Sequence, residues 1–253
     1  MNKPWLIEPS DEIKTLIKRG FCFMVNSSAG KDSQSLFHYI HRHVPAEQII
    51  VVHAHLPKVE WSGVVEHIRA TTMGVPIITC QSKRDLLTMI EERGMFPSPK
   101  YRQCTSDLKR GPIEKAIRQT GKKLIVNCMG MRAEESSKRA KLNTFKLNTR
   151  NSKAGREWYD WLPIHDWKVD EVFAMIREVG QKPHWAYEAG MTRLSCCFCI
   201  MSNKEDLTTA ARLNPELYKQ YVDLEKKTGQ VMMMPSKKHG KLTLEQITGV
   251  VAV

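Results

Sequence analysis

Short apolar runs alternating with amphipathic stretches set the rhythm of the first half of the chain. Phe21–Val25, Ile49–His53, Val75–Thr79 and Lys123–Cys128 are brief, nearly continuous apolar segments of the kind that strands buried on both faces require. Between them, Gln34–Arg42, Trp61 to about Met73, Lys83–Arg93 and Asp107–Gln119 carry helical spacing, while Pro97 and Pro99 make 95–100 a loop. Strand–helix alternation predicts an α/β fold: a parallel twisted sheet with helices on both faces. Beyond residue 140 the pattern changes. Residues 140–155 are polar and basic, which suits an edge hairpin or a mobile loop. Three tryptophans surround Pro163, and Val169–Val179 and Lys204–Lys227 read as helices. The expected division is an α/β core over 1–140 and a mainly helical C-terminal part over 141–253, packed on that core.

Composition narrows the class. The 253 residues are 42% hydrophobic and 26% charged, ordinary globular usage that argues against a disordered chain. No apolar run is long enough to span a bilayer, and the first residues lack the apolar core of a secretory signal. A cytoplasmic location with no membrane partner is expected. The net charge of +12 is a statement about partners. It fits nucleic acid, a polyphosphate substrate or an acidic protein surface. The basic bursts at 109–110, 122–123, 138–141, 226–227 and 237–241 are also what solvated faces produce.

The most informative stretch is VNSSAGKDSQSLF, Val25 to Phe37, where a strand runs through small residues into a helix. Small residues let the backbone approach an oxyanion closely, and a helix N-terminus offers unpaired N–H donors with partial positive charge. Ser28 and Ser33 add hydroxyls and Lys31 a point charge, so the product is a cradle for phosphate or pyrophosphate. The Walker spacing G-x-x-x-x-G-K-[ST] is absent.

Ser28–Ser33 resembles the SGGKDS loop of the N-type (PP-loop) ATP pyrophosphatases, with Ala29 in place of the first Gly. The rest of the chain is similar to the branch that includes phosphoadenylyl-sulfate (PAPS) reductase. The matching pieces are His53-Ala54-His55, Cys104-Thr105 with Lys109 and Pro112, Gly130–Ser136 with Arg139, Pro163–Trp167, and Tyr187 through Gly190–Cys199. They fall in order over about residues 20 to 205. The resemblance implies the fold of the adenine nucleotide alpha hydrolases, ATP with Mg2+ as ligands, and Lys31, Asp32 and Arg132 as catalytic residues. It implies nucleotide contacts from Ser28, Ala29, Gly30, Lys31, Asp32, Ser33, His53, Ala54, Gly130 and Arg139. Arg132, with Lys138 and Arg139, can neutralise a leaving pyrophosphate; a salt bridge to Glu134 or Glu135 is the competing role for Arg132. His55 stands where the family usually has an acid.

Seven cysteines in a chain expected to be cytoplasmic favour metal binding or thiol chemistry over disulfides. Cys196-x-x-Cys199 places two sulfurs on one side of a tight bend. The resemblance implies that Cys104 joins them around a [4Fe-4S] cluster, with the fourth ligand missing or supplied by Cys197. A Zn2+ site and metal-free thiols remain open. Cys22 and Cys80 are expected in the core, and the tryptophans in packing.

Relatives that reduce sulfonucleotides use a cysteine near the C-terminus, and in these 253 residues none follows Cys199. The expected function is therefore ATP cleavage to AMP and pyrophosphate, activating an acceptor oxygen for replacement by sulfur from a cysteine desulfurase. The resemblance points to the ATP pyrophosphatase of DNA phosphorothioation, with DNA favoured over tRNA as acceptor. Two alternatives stand beside it: a PAPS or adenylyl-sulfate reductase, and a catalytically silent nucleic-acid-binding or regulatory protein.

Overall fold

A computed structural model describes residues 3–235 and 240–252; Lys237, Lys238 and His239 of the last basic burst lie outside the described residues. The chain divides into two compact units that interleave in sequence. The first comprises Met1–His53, Gly63–Thr79 and Glu114–His184, and the second Ala54–Ser62, Cys80–Ile113 and Trp185–Val253.

Six strands form one sheet: β1 (Cys22–Asn26), β2 (Ile49–Ala54), β3 (Ile77–Cys80), β4 (Leu124–Cys128), β5 (Phe145–Leu147) and β6 (Glu157–Trp161). Their order is β3-β2-β1-β4-β6-β5. β1 pairs in parallel with β2 and β4, β4 in parallel with β6, and the edge pair β5–β6 is antiparallel. The sheet is mostly parallel with helices on both sides, and order reverses on either side of β1. Phe21, Phe23, Met24, Val25, Ile49, Val51, Ile125 and Val126 are all buried, which is why these strands read as continuous apolar runs.

Several boundaries differ from the sequence pattern. The helix after β1 starts at Lys31, not Gln34, and runs to His43. The stretch read as one helix from Lys204 to Lys227 is two, Lys204–Leu213 and Pro215–Thr228. Pro215 occupies the first turn of the second, where its missing N–H costs nothing. Asp107–Gln119 begins with a π-helical turn over Ser106–Arg110 before the regular helix Gly111–Gln119. Residues 140–155 are the edge hairpin, with β5 as its first strand.

β6 has no counterpart in the periodicity, because Glu157-Trp-Tyr-Asp-Trp161 is neither an apolar run nor an alternation. Its burial comes from its neighbours. Trp158 and Trp161 are buried, and Trp161 packs edge-on to Phe23 at 6.1 Å. Trp167 lies edge-on to Tyr39 at 5.7 Å. Cys22 is a core residue as expected, but Cys80 is only half-buried because β3 ends there near the open side of the sheet.

Among the described residues, no helix is long and apolar enough to cross a membrane.

Candidate nucleotide site and thiol cluster

The carboxyl ends of β1 and β4 lie side by side, with Val25 opposite Cys128. In an open α/β sheet, ligands bind at this edge, where strand order reverses. The loop leaving β1 turns sharply. Ala29 has φ 60, the left-handed region that a Cβ disfavours, and it is buried. Ser33 Oγ closes the bend by accepting from the Ser28 amide at 3.2 Å and donating to the Gly30 carbonyl at 2.9 Å. The helix then begins at Lys31, with Gly30 as its N-cap and no side-chain oxygen capping it. A helix start of this kind, with the positive end of its dipole, favours an anion.

Gly130, on the loop after β4, fits this loop closely. A Cβ there would sit 3.0 Å from the Asp32 carbonyl oxygen and 3.2 Å from its carbon. Only glycine lets the two loops pass at that distance.

Charged residues around the loop form a chain of pairs. Lys31 is buried, with its ammonium 3.2 Å from Asp32 Oδ2. Arg132 is buried too; its Nε donates to Asp32 Oδ1 at 2.6 Å and one guanidinium nitrogen to Glu134 Oε2 at 2.5 Å. The Arg132 amide donates to Glu135 Oε2 at 2.9 Å, and Glu135 pairs with Arg139. Glu134 in turn accepts from the Val169 amide at 2.9 Å, at the start of helix Val169–Glu178. The Arg132 guanidinium holds the Glu134 carboxyl below its usual value. Arg132 therefore engages the family loop's Asp32 and the acid Glu134 at once.

His53, at the end of β2, is buried with Nδ1 at 2.9 Å from the Ser27 carbonyl, so it braces the loop from behind. Ala54 is buried beside it in sequence. His165 bridges the Arg139 carbonyl through Nε2 at 2.9 Å and Asp166 through Nδ1 at 2.8 Å.

A polar ladder beneath the loop has no signature in the sequence pattern. Asn26 Nδ2 donates to Asn127 Oδ1 at 2.7 Å, Asn127 Nδ2 to Asp160 Oδ1 at 2.9 Å, and Asn148 Nδ2 to Asp160 Oδ2 at 2.9 Å. These side chains tie four neighbouring strand ends together. Asn26 and Asn127, polar residues at or next to the ends of the apolar strands β1 and β4, are visible in the sequence, but their partnership with Asp160 and Asn148 is not.

The second unit gathers the thiols. Cys104 opens the turn before the π-helical segment, and Cys196 and Cys199 flank Cys197 and Phe198 on a loop. That loop is pinned by Thr192, whose amide and hydroxyl donate to the buried Asp206 at 2.8 and 2.9 Å, and by the Cys197 amide donating to the Val59 carbonyl at 2.9 Å. Cys104, Cys196 and Cys199 lie close enough to act electrostatically on one another and on Lys109. Burial pushes the Cys196 thiol up to about 11, and Lys109 opposes it; Cys104 is also raised by burial. Negative charge on Cys196 leads the influences that hold Lys109 above an ordinary lysine, with Cys199, Cys104 and Glu60 adding to it against burial. Burial carries Cys197 to about 12, and the charges acting on it are those of Cys196 and Glu60. Three thiols whose charges act on one another and on the Lys109 ammonium, next to Phe198 and Tyr221 with rings 5.1 Å apart, are a donor set whose chemistry suits a thiophilic metal or an iron–sulfur cluster.

With the loop, its bracing and the thiol set described, comparison with known proteins gives the family. Residues 23–202 match the phosphoadenosine phosphosulfate reductase domain. The chain belongs to that family. Among curated relatives, it is 31% identical over 127 residues to an uncharacterized 37.8 kDa protein of Escherichia phage 186, covering 49% of this chain and 37% of that one. It is 23% identical over 215 residues to the uncharacterized protein MJ0973 of Methanocaldococcus jannaschii, covering 83% and 49%. The chain thus spans less than half the length of the curated relatives it matches. Similar solved structures include the Candida auris PAPS reductase in its phosphate complex, with 14% identity, TM-score 0.48, and 75% and 97% of the two chains covered. Another is the U34-tRNA thiolase NcsA of Methanococcus maripaludis with its [4Fe-4S] cluster, with 12% identity, TM-score 0.47, and 94% and 86% covered.

Proposed function

We propose that this member of the PAPS reductase domain family cleaves ATP to AMP and pyrophosphate, activating a nucleic-acid oxygen for replacement by sulfur. The observation that carries the reading is the uncapped helix N-terminus at Gly30, reached through the tight Ser27–Gly30 bend. Main-chain amides there are preorganised for the β- and γ-phosphates, and Lys31 supplies a fixed positive charge. Asp32 is the carboxylate suited to hold Mg2+ against those phosphates. Arg132, already bonded to Asp32, sets that carboxylate's orientation and shares charge with a departing pyrophosphate. Ser28, Ala29, Ser33, His53, Ala54, Gly130 and Arg139 shape and line the nucleotide site in this reading.

An acceptor oxygen attacks the α-phosphorus and expels pyrophosphate, leaving an adenylate. The terminal sulfur of a persulfide R–S–S⁻, supplied by a cysteine desulfurase, then displaces AMP to give an acceptor–S–S–R disulfide. A second thiol, the reductant, attacks the R-side sulfur to release the sulfur-bearing acceptor and a mixed disulfide. Cys104, Cys196 and Cys199 would hold a [4Fe-4S] cluster or Zn2+, which, when bound, supplies a site for sulfur at its remaining position. Lys109 balances the negative charge of the three thiolates. DNA phosphorothioation is the favoured setting and tRNA thiolation the other.

Protein incubated with Mg2+ and ATP labelled at the α-phosphate is expected to release labelled AMP and unlabelled pyrophosphate. Asp32→Ala should reduce that release by about 100-fold or more, as loss of a positioned charge at a phosphoryl centre does. ADP and inorganic phosphate as products would overturn the mechanism. The family match over residues 23–202 favours a second reading, reduction of a sulfonucleotide. It predicts sulfite from adenylyl sulfate or PAPS with a thiol reductant, and no AMP from ATP.

A further inference from the structure

Between Lys138 and Arg156 the sequence holds seven basic residues and no acidic one, more than half of the net +12 of the whole chain. The fold lays this stretch along one edge of the sheet. It starts in the short helix Ser137–Ala140, directly after the Arg132–Glu135 segment of the nucleotide site, and continues through β5, the outermost strand. Phe145 pairs with Trp161 and Leu147 with Tyr159. The stretch therefore runs from the carboxyl edge of the parallel strands towards the opposite edge, where the Glu157 amide meets the Lys123 carbonyl.

Two of the seven cations are neutralised within the fold: Arg139 by Glu135 and Arg150 by Glu114. Lys141, Lys146 and Lys153 are exposed and make no ion pair with a carboxylate among the described residues. The ribbon that carries them is tied down. The Asn148 amide donates to the Trp158 carbonyl at 2.8 Å, the Trp158 amide to Ser152 Oγ at 3.1 Å, and Arg118 to Asn151 Oδ1 at 3.1 Å. Guarding an open sheet edge against pairing takes a charge or two. The basic pair Lys226–Lys227, by contrast, follows Glu225, and Lys227 pairs with Glu91. A single-sign ribbon held in a fixed shape is instead matched to a regular polyanion.

We infer that the Lys138–Arg156 ribbon is the surface that grips the phosphate backbone of the nucleic-acid acceptor, an inference that rests on the sulfur-transfer reading above. β6, against which the ribbon lies, spans about 17 Å at the usual strand rise. Duplex nucleic acid carries one phosphate per about 1.7 Å of axis, so several phosphates fall within reach of the free lysines. Exposed Lys and Thr side chains contact backbone and carry no sequence information, so binding through this surface is independent of sequence.

The test is a salt series of fluorescence-anisotropy titrations with labelled duplex DNA, a folded transfer RNA, and phosphatidylserine vesicles. It compares the wild type, the triple variant Lys141→Gln/Lys146→Gln/Lys153→Gln and the control Lys204→Gln/Lys219→Gln/Lys226→Gln. Removing three phosphate contacts should flatten the slope of log K against log salt by about 2 to 3, while the control keeps the wild-type slope. Tighter binding of DNA or of transfer RNA names the acceptor class, and either supports the surface. A wild-type slope in the first triple variant, no binding of either nucleic acid, or equal binding of the vesicles would overturn it. AMP formation from ATP is followed on the same samples. If AMP forms but the ribbon binds nothing, the surface falls and the ATP chemistry stands; if the ribbon binds but no AMP forms, the reverse holds.

Discussion

At the scale of single residues, Ala29 is the most exposed to test. Its φ of 60 places a Cβ in left-handed backbone, a cost of roughly 1–2 kcal/mol that glycine avoids. Glycine loses about 0.5–1 kcal/mol more backbone entropy on folding. Ala29→Gly is therefore expected to stabilise the protein slightly, by about 0.5 kcal/mol, with nucleotide binding retained; urea unfolding and ATP titration would measure both. Residue type and spacing made Ser28–Ser33 legible as an anion loop. Neither could show that Arg132 bonds Asp32 across 100 positions of sequence, or that Asn26, Asn127 and Asp160 join in one ladder. Such links depend on which strand lies beside which, and no local pattern carries that information.

Apart from β3, an edge strand read from its apolar run though no residue of it is fully buried, strands were legible in proportion to how uniformly they are buried. β1, β2 and β4 lie inside the sheet and announce themselves as apolar runs, whereas β6 and β5 sit towards an edge and mix aromatic residues with Glu, Asp and Lys. The π-helical turn at Ser106–Arg110 adds a residue between Cys104 and the helix Gly111–Gln119, and periodicity does not resolve an insertion of that size. Its consequence is chemical. Lys109 is delivered to the three thiols, and Cys104 meets Cys196 and Cys199 from 92 positions away or more. Anaerobically purified protein is expected to carry iron and sulfide, or zinc, by elemental analysis. Cys104→Ser should lower that metal content several-fold while leaving the far-ultraviolet circular dichroism unchanged. Equal metal in the variant would remove Cys104 from the ligand set.

At the scale of the molecule, a buried network behind the nucleotide helix sets a pH dependence. Gln34, one residue past Ser33, accepts at Oε1 from His67 Nε2 at 3.3 Å and donates through Nε2 to Gln181 Oε1 at 2.8 Å; His38 Nε2 donates to the same Gln181 oxygen at 2.7 Å. Burial, with His184 nearby, pushes His67 down to about 4, and burial lowers His38 as well. Between that value and about 6.5 the unfolded chain binds protons that the folded chain does not, so stability falls as pH drops through this window. Unfolding free energy from urea titrations should decline from pH 7 towards pH 5. His67→Gln, which keeps a hydrogen-bonding side chain but cannot titrate, should flatten that decline.

What the chain determined by itself is what local physics determines: apolar runs long enough for strands, a small-residue bend able to hold phosphate, and two sulfurs brought together by a C-x-x-C turn. Those features need only neighbours in sequence. The tertiary structure decided the partners: Asp32 with Arg132, Gly130 against the Asp32 carbonyl, Cys104 with the C-x-x-C pair, and a basic stretch laid as one ribbon on the open edge of the sheet. Each depends on strand order and chain crossing, which are settled by how the whole set of apolar faces can be buried at once.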